Sequence, residues 1–158
     1  MPREIRSVQE LRPIGTIRSP YRRPEGMPRD CSSVMGEIEI FKEYEKGLKD
    51  LEGFSHLIVL WLFHLSEGCS LIVKPLHFEG RRGVFSTRHP DRPNPIGFSV
   101  VELLERRGNV LKVKGIDAVD GTPVLDIKPY LSLDRKDVVR GGWLDAVQLG
   151  VALDRRSP

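Results

Sequence analysis

Three polar loops of this sequence combine charged side chains with rigid backbone positions. They are PRDC at 28–31, STRHPDRPNPIG at 86–97 and DAVDGTP at 117–123. Arginine presents a planar fork of donors that suits carboxylates and phosphates, and aspartate accepts hydrogen bonds from hydroxyl or ammonium groups. Because proline fixes its own φ angle, such loops can hold charged groups in place before a ligand arrives. The pattern predicts a preorganised site, although Asp120-Gly121 and Asn94-Pro95 are also typical of ordinary turns.

The common motifs of nucleotide and metal chemistry are absent from the sequence. No G-x-G-x-x-G follows a predicted strand, and there is no P-loop, no H-E-x-x-H and no C-x-x-C. The two cysteines, Cys31 and Cys69, and the scattered histidines lack metal-ligand spacing, so we predict reduced thiols and no metal. A Ser/His/Asp arrangement stays open, but no nucleophile elbow is present.

Positive charge is concentrated in two parts of the chain. The net charge is only +3, but arginines outnumber acidic residues in 1–30. Residues 81–92 contain Asp91 as their only carboxylate against Arg81, Arg82, Arg88 and Arg92. This distribution indicates an anionic ligand or nucleic acid, and a solvated surface is the alternative.

The elements that must position these loops are mostly short strands. One short helix is predicted at 42–51, and the tail at 134–150 is ambiguous. The lack of strand–helix alternation predicts a mainly β fold, a barrel or a sandwich, in one domain over 1–158. The predicted strands are 11–18, 36–41, 54–65, 71–78, 83–87, 98–106, 109–117 and 124–130.

Hydropathy indicates a soluble cytoplasmic protein. No run of 18 apolar residues occurs, and the longest apolar segment, 54–65, is interrupted by His56 and His64. We therefore predict no membrane span. The first ten residues lack the apolar centre of a secretory signal.

Long motifs in this sequence resemble the TrmO family, also called TsaA-like or VirR-like. They are TRHPDRPNPIGFSVVELLE, GIDAVDGTPVLDIKPYL, PIGTIRSPY, the PRD at 28–30 and LEGFSHLIVLWLFHL, and the resemblance spans about residues 12–131. It implies an S-adenosylmethionine-dependent methyltransferase that modifies N6 of N6-threonylcarbamoyladenosine at position 37 of threonine tRNA. The implied fold is a single-sheeted β-barrel with one or two short helices, and the implied assembly is a homodimer with the cofactor near the subunit interface.

The resemblance also implies which residues bind the cofactor. Departures from the family pattern are Asp30 in place of glutamine, Phe98 in place of a smaller aliphatic residue, and the lack of the additional C-terminal domain of longer bacterial members. An arginine suits the cofactor's carboxylate, an aspartate its ribose or ammonium, and Phe98 with the turn backbone its adenine. The matching positions are Pro28, Arg29, Asp30, His64, Leu65, Arg88, Phe98, Asp120, Gly121, Thr122 and Pro123.

The methyl acceptor would be a poor nucleophile, because its lone pair is delocalised, so removal of its proton would help. Asp126 and Tyr130 are candidates, with Lys128 between them, and strand alternation places all three on one face. An Asp–Lys ion pair on the barrel wall is the structural alternative. The carboxylate of the threonylcarbamoyl group requires a cation, for which we expect Lys128 or Arg92, with Asn94 nearby.

Two other functions remain compatible with the sequence. Small β-barrels with basic loops also serve as RNA-binding modules without catalysis. A methyltransferase for a small molecule is the second alternative.

Overall fold

The computed structural model describes residues 10–154, which contain short antiparallel strands and one α-helix. The helix is α1, Trp143–Asp154. Short 3-10 helices occur at Pro24–Gly26, Lys42–Leu48, Leu51–Gly53, Val84–Ser86 and Ser132–Asp134. The strands are β1 Gly15–Arg18, β2 Met35–Ile40, β3 His56–Leu62, β4 Ile72–Val73, β5 Arg82–Gly83, β6 Ile96–Arg107, β7 Val110–Lys114 and β8 Pro123–Pro129.

Six of the strands close into a barrel in the order β1-β2-β7-β6-β3-β8, with antiparallel pairing throughout. β4 and β5 form a separate two-stranded sheet. This architecture confirms the prediction of a mainly β, single-sheeted barrel. Closure leaves none of the barrel strands with an unpaired edge.

Alternation along the strands fills the barrel with aliphatic side chains. On β3, Leu57 and Val59 are fully buried, whereas Ile58 and Leu60, which alternate with them, are only partly buried and point outward. The inward residues share β-branched or leucine side chains, which pack densely in a small barrel. They include Ile17, Ile38, Ile40, Leu57, Val59, Val101, Leu111, Val113 and Val124.

The predicted helix at 42–51 is wrong. The segment forms two 3-10 helices, and Asp50 between them adopts a φ of 67°, which an α-helix cannot accommodate. Leu48 and Leu51 still reach the core, so the apolar spacing reflected burial without α-helical geometry.

The strands predicted at 71–78 and 83–87 are largely wrong. Pairing stops at Val73, because Pro75 cannot donate to a ladder and His77 has a φ of 68°. The second segment tightens into the 3-10 helix Val84–Ser86.

Two boundaries bear on the site. β6 begins at Ile96, so the end of the RPNPIG motif already belongs to a barrel strand. Of the ambiguous tail at 134–150, the part from Trp143 onward lies in α1. Residues 1–9, which carry most of the N-terminal segment predicted not to be a secretory signal, lie outside the described residues. The part of the chain from 10 to 154 contains no helix with the length and apolarity of a membrane span.

Candidate functional site

A cavity of about 950 Å³ opens at one end of the barrel. Its walls come from parts of 24–31, 61–67, 75–91 and 117–122 and from the first residues of α1. All three polar loops predicted to form a site contribute to it. The volume lies at the upper end of the range usual for small-molecule sites.

The floor of this cavity is a hydrogen-bonded chain at the end of β3. The buried indole of Trp61 donates from Nε1 to Ser99 Oγ over 2.8 Å, and the Ser99 hydroxyl donates to the Asp117 carboxylate. Phe63 packs edge-on against Trp61, with ring centroids 4.5 Å apart. Because the indole N–H and the Ser99 hydroxyl each have an acceptor, the indole and the carboxylate keep fixed positions.

Arg88 lies between this cavity and a smaller neighbouring one of about 290 Å³. Its guanidinium carbon lies 5.7 Å from the centroid of the Phe98 ring. Asp117 and Cys31 line both cavities as well. The predicted cofactor residues Arg88 and Phe98 are therefore brought together, although only Arg88 faces the larger cavity.

The turn after Arg88 is stiffened by its own side chains. Arg92 donates from Nη1 to the Thr87 carbonyl over 2.7 Å and to the His89 carbonyl over 3.2 Å. Ser66 donates to the Asp91 carboxylate over 2.7 Å, which ties the turn to the segment after β3. Arg92 thus supports the turn, and neither Arg92 nor Asn94 lines the cavity. Their predicted substrate contacts stay predictions.

The loop at 28–31 presents Arg29 to the cavity. Its guanidinium lies 4.9 Å from the Phe78 ring, a cation–π distance. Asp30 accepts a hydrogen bond from the Ser32 amide, which lowers the pKa of its carboxyl, and it is not among the residues that line the cavity. Burial, and then the nearby Asp117 and Asp30 charges, raise the pKa of the Cys31 thiol.

The DGTP turn fastens the long N-terminal loop to the barrel. Asp120 Oδ1 accepts from the Ser19 amide over 3.0 Å, and the Asp120 amide donates to the Tyr21 carbonyl. Gly121 has a φ of 82°, a left-handed value that favours glycine. Thr122 alone of this turn lines the cavity. Asp120, Gly121 and Pro123 therefore have structural tasks here, and their predicted cofactor contacts are not visible in the geometry.

The residues predicted for catalysis lie elsewhere, on the outer wall of the barrel. Lys128 Nζ lies 2.6 Å from Asp126 Oδ2, and both side chains are partly exposed. Tyr130 packs against the ring of His56. None of the three lines the cavity, and the pair has the geometry of the structural alternative given above. Their catalytic role stays a prediction.

The C-terminal helix α1 contributes a wall of the cavity that no sequence motif predicted. Trp143 donates from Nε1 to the Ser86 carbonyl over 2.8 Å, packs edge-on against Phe78, and lies under the guanidinium of Arg82. Sequence reasoning also missed Trp61, Phe63 and Asp117. Asp117 lies within a loop already singled out, but only the fold brings the aromatic residues to one cavity.

The described residues contain no group of three or more His, Cys, Asp or Glu side chains arranged to hold a metal ion. Among the residues predicted for the cofactor, the structure collects one subset around the larger cavity: Pro28, Arg29, His64, Leu65, Arg88 and Thr122.

Comparison with known proteins identifies the family. Residues 16–135 match the tRNA-methyltransferase O N-terminal domain. The chain is 49% identical over 138 residues to a probable S-adenosyl-L-methionine-binding protein of Pyrococcus abyssi, covering 85% of this chain and 75% of that protein. It is 44% identical to a tRNA (adenine(37)-N6)-methyltransferase of Escherichia coli, over 75% of this chain and 56% of that enzyme.

A solved structure agrees with this assignment. A crystal structure of TrmO superimposes with a TM-score of 0.74 at 38% identity, covering 87% of this chain and 64% of that one. The match of the barrel and of the motifs around its cavity has one explanation: the chain belongs to the family of the tRNA-methyltransferase O N-terminal domain.

Proposed function

We propose that this protein methylates N6 of N6-threonylcarbamoyladenosine at position 37 of threonine tRNA. It is a methyltransferase of the TrmO family, and its cofactor is S-adenosylmethionine. The threonylcarbamoyl specificity, the threonine tRNA and a cytoplasmic location are the finer parts of the proposal. The observation that carries it is the cavity beside the stiff turn 86–97, in which two arginines face an apolar wall.

The residues of the cavity fit the cofactor's chemical groups. Arg29 or Arg88 can hold its carboxylate, and Asp117 can accept from its ammonium or ribose hydroxyls. Phe63 and Val119 offer apolar surface for the adenine. Asp117 takes the acceptor role predicted for Asp30 or Asp120, since neither of those lines the cavity.

Positioning is the main contribution that this chain can make to methyl transfer. Bound S-adenosylmethionine supplies an electrophilic methyl group, and the reaction is an in-line displacement. Holding the two reactants in line is worth about 7 kcal/mol or more. The hydrogen bonds of Arg92 and the Trp61–Ser99–Asp117 chain keep the cavity walls in place without a ligand.

Proton removal from N6 has two candidate locations. If Asp126, Lys128 and Tyr130 act in it, the acceptor must reach the outer wall of the barrel. Asp117 is a carboxylate inside the cavity lining, and its Oδ1 already accepts from Ser99. We propose Asp117 as a second candidate to hold that proton.

Recognition of the threonylcarbamoyl carboxylate needs a cation that is available. Lys128 is paired with Asp126, and Arg92 is engaged by backbone carbonyls. Either would have to give up these contacts to bind the substrate. Arg29 and Arg88 line the cavity, so whichever does not hold the cofactor carboxylate could take this role.

We further propose a homodimer formed through an apolar stripe on the outer wall. The stripe consists of Ile58 and Leu60 on β3, paired in register with Val100 and Phe98 on β6, whose side chains are 39% and 41% exposed. Phe98 also contacts Arg88, which places the stripe beside the cofactor cavity. Sedimentation should give twice the monomer mass at tens of micromolar, and a monomer with full activity would contradict this.

The decisive experiment compares two tRNA substrates. The protein is incubated with methyl-labelled S-adenosylmethionine and either normal threonine tRNA or the same tRNA lacking the threonylcarbamoyl group, followed by nucleoside analysis. We expect label on N6 of the modified nucleoside and little on bare adenosine, because a buried cation left unpaired disfavours the unmodified base. Equal methylation of both would contradict the proposed specificity.

A further inference from the structure

Phe85 is an exposed aromatic side chain at the mouth of the cavity. Its side chain is 74% exposed, whereas Phe41, Phe54 and Phe98 are between 37% and 41% exposed. Phe85 lines the cavity together with Leu76, which is 69% exposed. No role in binding the cofactor requires so open a ring, because a small-molecule pocket encloses most of its ligand.

The backbone that carries the Phe85 ring is rigid. Phe85 is the middle residue of the 3-10 helix Val84–Ser86. On one side, Val84 is buried and its amide donates to the Leu71 carbonyl over 2.9 Å. On the other side, the Ser86 carbonyl accepts the Trp143 indole hydrogen bond. The backbone is therefore fixed while the ring is presented to solvent, which lowers the entropy cost of binding a flat ligand.

Arg29 and Arg88 line the same cavity as this ring, and three further arginines lie close in sequence to residues of the lining. Arg22 and Arg23 directly precede Pro24, and Arg81 lies between Phe78 and Phe85, which line the cavity with Pro24. We call Arg22, Arg23, Arg29, Arg81 and Arg88 the cavity arginines. None of them forms an ion pair with a carboxylate among the described side chains.

The carboxylates of the cavity lining form no ion pair with these arginines. Asp91 and Asp117 accept hydrogen bonds from Ser66 and Ser99, and Glu67 is the other carboxylate in the lining. An open aromatic ring beside unneutralised arginines is complementary to single-stranded RNA, whose bases stack while its phosphates contact the cations.

We propose that Phe85 is the stacking platform for a nucleobase of the tRNA loop that carries the methyl acceptor, with Arg22, Arg23 and Arg81 holding the adjacent phosphates. The proposal rests on the proposed function, since it takes tRNA as the substrate. It assigns Phe85 to the RNA and not to the cofactor. The base on Phe85 is either the acceptor or its neighbour in the loop.

Three substitutions at Phe85 test the stacking. Phe85→Ala removes the ring, Phe85→Leu keeps apolar bulk without a π-face, and Phe85→Trp enlarges the face. Leu133→Ala is the matched control, because Leu133 is 70% exposed and lies outside the cavity lining. For each variant, tRNA binding is measured by fluorescence anisotropy at fixed salt, and cofactor binding by calorimetry.

We expect Phe85→Ala and Phe85→Leu to weaken tRNA binding roughly 5- to 150-fold, the range of one lost base stack. Phe85→Trp and Leu133→Ala should bind tRNA like the parent protein, and all four should bind cofactor normally. The exposed ring has few packing partners, so folding should not change, and circular dichroism verifies this.

Three results would overturn the proposal. Unchanged tRNA binding in Phe85→Ala means that no base stacks there, and full binding by Phe85→Leu means that the contact is only apolar. If a Phe85 variant loses affinity for the cofactor, or no longer forms a dimer in sedimentation, then the ring contacts the cofactor or the second subunit and not a base. Failure of the proposed function is distinguishable, because it would appear as absent methylation by the parent protein while the binding differences persist.

Discussion

The arginines on the barrel and the arginines around its cavity differ in their ion pairing. On the barrel, Arg18 pairs with Glu37 and Glu39, Arg106 with Glu52, and Arg107 with Glu105. We call Arg18, Arg106 and Arg107 the barrel arginines. The hydrogen bond from Arg107 lowers the pKa of the Glu105 carboxyl. The cavity arginines have no such partner among the described side chains.

For Arg18 the difference follows from strand pairing. Strand pairing places outward glutamates of β2 opposite Arg18 on β1, since Arg18 pairs in register with Glu37 and Thr16 with Glu39. Such cross-strand pairs neutralise each other. The loops have no register that brings a carboxylate opposite each arginine. The positive field of the loop arginines therefore remains available to an anionic ligand. The number of arginines alone does not predict where an anion binds.

The largest expected effect concerns cofactor affinity. Arg88→Ala should weaken S-adenosylmethionine binding by about 1.5–3 kcal/mol, the cost of one charge-assisted hydrogen bond, measured by calorimetry. Arg107→Ala removes an equal charge from the barrel and should leave the affinity unchanged. Equal losses of cofactor affinity in the two variants would show that the affinity depends on the net charge of the protein and not on the location of the arginine.

An intermediate effect is expected in the salt dependence of tRNA binding. The double variant Arg22→Gln/Arg23→Gln should reduce the slope of log affinity against log salt by about 1–2, since each lost phosphate contact releases about one counterion fewer. The matched double variant Arg18→Gln/Arg107→Gln should keep the slope within about 0.5 of the parent value. A lowered slope in the barrel variant alone would place the RNA on the part of the barrel wall that carries Arg18 and Arg107.

The smallest effect is expected for the ion pair on the outer wall. Asp126→Asn and Lys128→Met should each change the free energy of unfolding by less than about 1 kcal/mol, because the pair is exposed to solvent. Denaturant unfolding measures this. Initial rates on modified tRNA decide the catalytic prediction: a loss of 100-fold or more with intact cofactor binding assigns the pair to catalysis, and full rates in both variants exclude it.

Sequence reasoning succeeded where the residue types of a segment directly reflect its burial. The alternation of GEIEIF and the apolar run 54–65 predicted β2 and β3, because burial on one or both faces dictates residue type directly. It failed at 42–51, where the apolar spacing is shared by 3-10 and α-helices, and at 83–87, where a buried Val84 resembles a strand residue. The site was predicted in part, since Arg29 and Arg88 line the cavity but Asp30 and Asp120 do not.

The sequence by itself determined the mainly β class, the family and the three loops that surround the cavity. These are encoded in local periodicity and contiguous motifs, and both can be read along the chain. Only the tertiary structure decided which charges face the cavity, since Arg29 lines its wall and the adjacent Asp30 does not. It also brought Trp143 against Ser86 across 57 residues of sequence, and it left Phe85 exposed between two fixed neighbours. These contacts form only when the barrel closes, and no single segment of the sequence predicts them.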